Sequence, residues 1–170
     1  MNVLHWHIVD QQSFSFQSEV LPSFPDKGGY TQFNHVYSIA EIKDLIEYAR
    51  LRGIRIIPEF DTPGHTKAWG PGGGPDFLTK CADYNGKFNG EYGPIDPSKP
   101  ENFKIIGELI KEVRQVFNDS YIHLGGDEVD AKCWGSNKEL QKWMIENNLR
   151  WAKSGSGRVR ICSEVAKVFI

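Results

Sequence analysis

Apolar and polar positions along the chain follow two periods in turn, and the switches between them mark out the elements. Residues 2–9 form a short apolar run of Val, Leu, Ile and Trp that stops at Asp10, the pattern of a strand. A loop containing Ser, Gln and Gly follows, through Tyr37. Ser38 and Glu41 then have capping-box spacing, and Ile39, Ile42, Leu45, Ile46 and Ala49 recur at helical spacing until Gly53 ends the run. Residues 54–60 are apolar and β-branched, which predicts a second buried strand. Residues 61–97 are rich in Gly, Pro, Asn and Asp and hold no sustained period, so they read as one long loop. Ser98 and Glu101 repeat the capping-box spacing ahead of an amphipathic helix carrying Ile105, Ile106, Leu109, Ile110, Val113 and Phe117. Residues 121–125 predict a third short strand, and Ser136 to Glu139 opens a last helix with Leu140, Trp143 and Met144 on its apolar face.

Strand, helix, strand with short connections is the unit of a parallel sheet. The polar residues gather just beyond each strand: Asp10; Glu59, Asp61 and His65; Asp127 and Glu128. In parallel α/β folds ligands bind at those carboxyl ends. An open doubly wound sheet would need a glycine-rich phosphate loop after its first strand, and none is present.

Composition narrows the classes. The 170 residues suit one domain, and 20 Lys plus Arg against 22 Asp plus Glu leave a net charge of -2, without the basic excess of a nucleic-acid partner. No window approaches the roughly 18 consecutive apolar residues of a membrane-spanning helix. The first ten residues do not read as a signal peptide. Cys81, Cys133 and Cys162 permit one disulfide with one thiol left over, or three inert buried thiols, and their spacing fits no zinc pattern.

His123-Leu124-Gly125-Gly126-Asp127-Glu128 has the most chemical content. Two glycines let the backbone turn and approach another group closely, and two adjacent acids at close range do not both ionise freely. A protonated Glu beside an ionised Asp is what a general acid and its electrostatic partner require. The competing reading is a helix cap or turn. In Glu59-Phe60-Asp61-Thr62-Pro63-Gly64-His65, the Asp four residues before a His is placed to orient its ring, or the segment is a structural turn. His5 and His7 share one face of the first strand, as a packed core pair or, with His123, as ligands of a metal-dependent hydrolase.

LHWHIVD, YARLRGIR, PEFDTPGH, the Gly-Pro-Ile-Asp-Pro stretch and HLGGDE followed by Lys132-Cys133-Trp134 resemble, in that order, the family 20 glycoside hydrolases of the eukaryotic lysosomal β-N-acetylhexosaminidase type, over about residues 1–149. The resemblance implies an α/β fold, a (β/α)8 barrel, and retaining removal of terminal N-acetylglucosamine or N-acetylgalactosamine from oligosaccharides, glycoproteins or glycolipids. The acetamido oxygen of the substrate is the nucleophile there, an exception to the two-carboxylate scheme. By position, Glu128 is implied as general acid and then base, and Asp127 as the group that orients the acetamido function. Asp10 and His65 are implied as a network tuning Glu128, with Asp61 bracing the loop that bears His65. Gln11 departs from a second acid frequent in the family. A disulfide between Cys81 and Cys133 is implied, Cys162 has no counterpart, and Asn118 begins a glycosylation sequon. No cofactor or metal is implied, a lysosomal or secreted location is, and a dimer of the full-length protein is compatible with the family.

A complete barrel needs about 250 residues. Three of its eight units are expected here, as a partial catalytic domain over residues 1–150, followed by a tail at 151–170 without family resemblance. The family's substrate-binding Arg before the first strand, and the aromatic, Tyr and acidic residues of later strands, fall outside the chain. The expectation is that the 170 residues alone are inactive, and a glycan-binding piece without turnover is the non-enzymatic alternative.

Overall fold

The computed structural model describes residues 1–30 and 35–149. The order is β1 (Val3–Val9), α1 (Ser23–Gly28), α2 (Ile39–Arg50), β2 (Arg55–Phe60), a 3-10 turn (Lys67–Trp69) leading into α3 (Gly70–Gly73), β3 (Leu78–Ala82), β4 (Phe88–Ile95), α4 (Pro100–Val116), α5 (Ala131–Ser136) and α6 (Lys138–Glu146).

β1 and β2 are parallel, from Val3 opposite Arg55 to Val9 opposite Phe60, with one irregularity between His7 and Val9. α2 connects them and begins as its sequence predicts: Ser38 Oγ accepts from Glu41 N at 3.2 Å, and Ser38 N donates to Glu41 Oε2 at 2.8 Å. Gly53, at a φ of 69°, turns the chain into β2.

The third strand expected at 121–125 is reduced to one bridge between Glu59 and His123. His123 N donates to Pro58 O at 2.9 Å and Phe60 N to His123 O at 3.0 Å, so the segment still adds a parallel neighbour to β2. It is short because Gly125 and Gly126, at φ of 70° and 116°, leave the extended region at once.

Residues 61–97 are not one loop. β3 and β4 form an antiparallel hairpin with Lys80 opposite Tyr92. No alternation announced it, because the first five residues of β4 are all exposed and Gly90, Gly93 and Pro94 interrupt the strand. The Cys81–Cys133 disulfide implied by the family resemblance is present and joins this hairpin to α5. A Cβ on Gly93 would lie 2.4 Å from Cys133 Sγ, so glycine is required where β4 crosses the bridge.

The second capping box does not form. Ser98 turns back to Asp96 instead, its N and Oγ both donating to Oδ1 at 2.8 and 2.6 Å, because a carboxylate two residues away offers the nearer charged acceptor. The last helix is capped by Asn137, whose Oδ1 accepts from Leu140 N at 3.0 Å. Ser136 Oγ is occupied, accepting from Ala82 N and donating to Cys133 O.

The main core gathers Ile8, Val9, Phe14, Phe16, Phe24, Phe60, Trp69 and Phe77 with Ile106, Leu109 and Val113 of α4. Burying each of these side chains stabilises by roughly 2 kcal/mol. A smaller cluster of Trp134, Leu140 and Met144 packs α5 on α6. No helix among the described residues is long and apolar enough to cross a membrane. The 151–170 tail and Cys162 lie outside the described residues.

Candidate active site

β1, β2 and the His123 segment end side by side, so the residues just beyond them meet. His65 stands in the middle. Its Nδ1 lies 2.8 Å from Asp10 Oδ1, and an ionised carboxylate only accepts, so the ring donates from that nitrogen. Its Nε2 is 3.4 Å from Glu128 Oε2 and 3.7 Å from Asp61 Oδ2. The residue that orients His65 is therefore Asp10, from the neighbouring strand, rather than Asp61 four positions earlier. Gln11 N holds Asp10 Oδ1 from the other side at 2.6 Å.

Asp61 is 1% exposed. One oxygen accepts from Gly126 N at 2.8 Å. A Cβ on Gly125 would lie 1.7 Å from that same oxygen, so only glycine lets the backbone pass over the carboxyl. The other oxygen, Asp61 Oδ2, and His65 Nε2 are both buried without a hydrogen bond. Such groups are rare in folded proteins and call for an explanation. His65 and Glu128 also occupy the left-handed region, at φ of 51° and 48°, each at a cost of about 1 kcal/mol. Backbone strain of this kind concentrates at working sites.

Burial pushes the Asp61 carboxyl up to about 6, opposed by the Gly126 N–H and helped by the neighbouring Asp127 carboxyl. The neighbouring Asp61 carboxyl is in turn the main reason Asp127 is held below the ordinary aspartate range. Asp61 and Asp127 thus bias each other's ionisation in opposite directions. Burial works against ionising Asp10, but the Gln11 N–H and the His65 ring hold it low. Burial likewise opposes protonation of His65, and the Asp10 hydrogen bond with the charges of Asp61, Asp10 and Asp127 overcomes it and raises the ring. Glu128 itself projects outward, its side chain 79% exposed, into a cleft of about 190 Å³ that Gln11, Lys67, Tyr92 and Asp130 also line.

His5, His7 and His123 do come together, around an acid that the sequence reading did not join to them. Glu59 Oε2 is 2.6 Å from His5 Nε2 and 3.3 Å from His7 Nδ1, and Oε1 is 2.9 Å from His123 Nδ1. His5 and His7 are therefore not a packed core pair; their side chains are 51% and 37% exposed and turn to a buried acid. His5, Glu59 and His123 are close enough together to hold a cation. Their spacing is instead that of hydrogen bonds, since two ligands of a tetrahedral zinc stand about 3.3 Å apart. The signal for the cluster was Glu59, one residue before the end of β2, where an acid among Ile, Pro and Phe had to find partners.

The chain matches the catalytic domain of Glycosyl hydrolase family 20 across residues 1–168. The chain belongs to that family. It is 51% identical over 143 residues to the "Beta-hexosaminidase subunit beta" of Felis catus, covering 84% of this chain and 26% of the relative. Against the Sus scrofa protein of the same name it is 44% identical over 169 residues, covering 99% of this chain and 30% of the relative. The chain spans about a quarter of the length of the curated relatives it matches. Among solved structures, the Flavobacterium johnsoniae chitobiase of family 20 superposes with a TM-score of 0.79 at 31% identity, over 99% of this chain and 25% of the other.

The motifs that carry the family 20 likeness supply the converging residues: LHWHIVD brings His7 and Asp10, PEFDTPGH brings Glu59, Asp61 and His65, and HLGGDE brings His123, Asp127 and Glu128. Cys81 and Cys133 form the expected bridge. Asn118 lies exposed just after α4.

Proposed function

We propose that the protein to which this chain belongs is a β-N-acetylhexosaminidase, and that β1, β2 and the His123 segment are consecutive strands of its (β/α)8 barrel. The observation that carries the reading is the Asp10–His65–Glu128 connection. It joins an acid on the first strand to an exposed acid beyond the third through one imidazole, with Nδ1 at 2.8 Å and Nε2 at 3.4 Å. A surface acid needs no such support to remain charged; one that must give up and regain a proton does.

The chemistry follows from the parts. Glu128 donates its proton to the glycosidic oxygen while the C1–O bond breaks and the acetamido oxygen of the substrate closes onto C1. The cationic ring so formed is stabilised by the carboxylate of Asp127, whose ionised form the neighbouring Asp61 favours. His65, raised by its acidic neighbours, steadies the negative charge left on Glu128. Glu128 then takes a proton from water as the water oxygen attacks C1, which restores the acetamide and the acid. The exposed Asn118 sequon and the Cys81–Cys133 bridge support a lysosomal or secreted setting.

The protein made from its complete coding sequence should cleave an aryl β-N-acetylglucosaminide and leave the aryl β-glucoside, which lacks the acetamido group, untouched. Equal rates on the two substrates would overturn the proposal.

A further inference from the structure

His7 faces more carboxylates than any role in the proposed chemistry requires. Its Nδ1 is 3.3 Å from Glu59 Oε2, and its Nε2 is 3.5 Å from Asp10 Oδ2, the oxygen that His65 does not use. Asp61 comes within 4.8 Å of the same group of atoms, and the His65 ring stands 6.2 Å away, edge to face. Taken in order, Glu59, His7, Asp10, His65 and Glu128 alternate carboxylate and imidazole, with gaps of 3.3, 3.5, 2.8 and 3.4 Å. Each imidazole has an acid at both nitrogens. The inner end is anchored, because Glu59 is 6% exposed and is held by His5 on β1 and by His123 on the segment bridged to β2.

We propose that His7 is a positioning residue which connects buried Glu59 to Asp10 and so holds the Asp10–His65 pair in register with Glu128. The inference rests on the hexosaminidase reading given above. Alternation is the physical point: each imidazole lies between two carboxyl groups, so along the five groups no acid directly follows another acid. The groups facing His7 are Glu59 and Asp61 from β2 and its end, Asp10 from its own strand, His65 from the following loop, and Asp127 beyond the third strand, whose ionised form His7 also favours. His7 favours the ionised form of Asp10 as well. With His7 gone, both acids keep their protons to higher pH, and the acid limb of the kcat/KM profile moves toward neutrality.

The test uses the protein from its complete coding sequence, with rates taken per active site. His7→Gln keeps a donor near Asp10 and removes the imidazole. The expected result is a fall in kcat of about tenfold, the scale of one hydrogen bond to a charged group, with KM little changed and the acid limb displaced upward. His7→Gln, Glu59→Gln and the double variant should cost about the same, since either change breaks the one chain. A His7→Gln enzyme that melts early yet retains the wild-type pH profile and kcat would overturn the inference and leave His7 a structural residue. Glu128→Gln serves as the control. If it leaves turnover intact the hexosaminidase reading itself fails, whereas an inactive Glu128→Gln beside an unaltered His7→Gln sinks the role of His7 alone.

Discussion

Two buried acids in this chain have opposite surroundings. Glu112, in the middle of α4, is 6% exposed and fully engaged: Ser18 Oγ donates to Oε2 at 2.5 Å, and Glu19 N and Val20 N donate to Oε1 at 2.6 and 3.2 Å. Asp61, beyond β2, is 1% exposed and has one oxygen with no hydrogen bond, beside an imidazole nitrogen in the same condition. Glu112 ties the loop after β1 to a helix, and its geometry is closed. Asp61 is closed on one side by Gly126 N and left electrostatically unbalanced on the other, where His65, Asp127 and Glu128 stand. Burial alone thus does not distinguish scaffold from chemistry; two ionisable groups left unsatisfied side by side do, unlike the isolated Trp69 Nε1 and Thr79 Oγ1 elsewhere.

If that distinction holds, scaffold changes cost stability and spare turnover per folded molecule, while changes at the strand ends do the reverse. The largest expected effect on the scaffold side is Cys133→Ser, which opens a bridge spanning 52 residues. It should remove roughly 4 kcal/mol in the chain-entropy model. Thermal denaturation with residual activity assayed below the midpoint would show it; a large loss of kcat at full folding would blur the division. Glu112→Ala leaves one hydroxyl and two amides unpaired and should cost roughly 3 kcal/mol. Denaturant titration reads that cost, and kcat should stay within about twofold.

Asp61→Asn is the counterpart. It removes the partner that keeps Asp127 ionised, so kcat should drop by about tenfold while the melting temperature at neutral pH holds or rises. A variant that is fully active but unstable would make Asp61 another Glu112. The smallest effect is a slope. Asp61 binds its proton more tightly folded than unfolded, so its contribution to stability is complete below its ordinary value of 3.8 and fades as pH rises through about 6. Asp10 and Asp127, both held low, contribute in the opposite sense: that stability is present above their ordinary value and is lost on acidification. Wild type should therefore lose stability relative to Asp61→Asn between pH 4 and 7, and parallel curves would remove burial as the cause.

How legible each part was depends on whether its signal was local. The β1–α2–β2 unit was readable because a capping box, one helical stripe and two apolar runs coincide with it. That Asp10, Asp61, His65, Asp127 and Glu128 lie together was readable from their position after strands. Their wiring was not: which acid holds His65, and which acids face one another, depends on segments as far apart as Val3 from Arg55 and Glu59 from His123 meeting at set distances. The β3–β4 hairpin escaped for a different reason. Its strand faces are exposed, so no alternation was selected, and a disulfide to α5 and the glycine at 93 do the fixing. Glu112 passed unnoticed because a lone Glu in an amphipathic helix has the same pattern whether it faces water or receives a loop.

The most direct test of the strand-end chemistry is kcat/KM for wild type and Glu128→Gln on two aryl β-N-acetylglucosaminides, one with a dinitrophenyl and one with a plain phenyl leaving group. A general acid matters most where the leaving oxygen is basic. The expected result is a loss of about a thousandfold on the phenyl glycoside and a far smaller loss on the dinitrophenyl one. An equal loss on both, or no loss on either, would contradict the assignment of Glu128 as the proton donor.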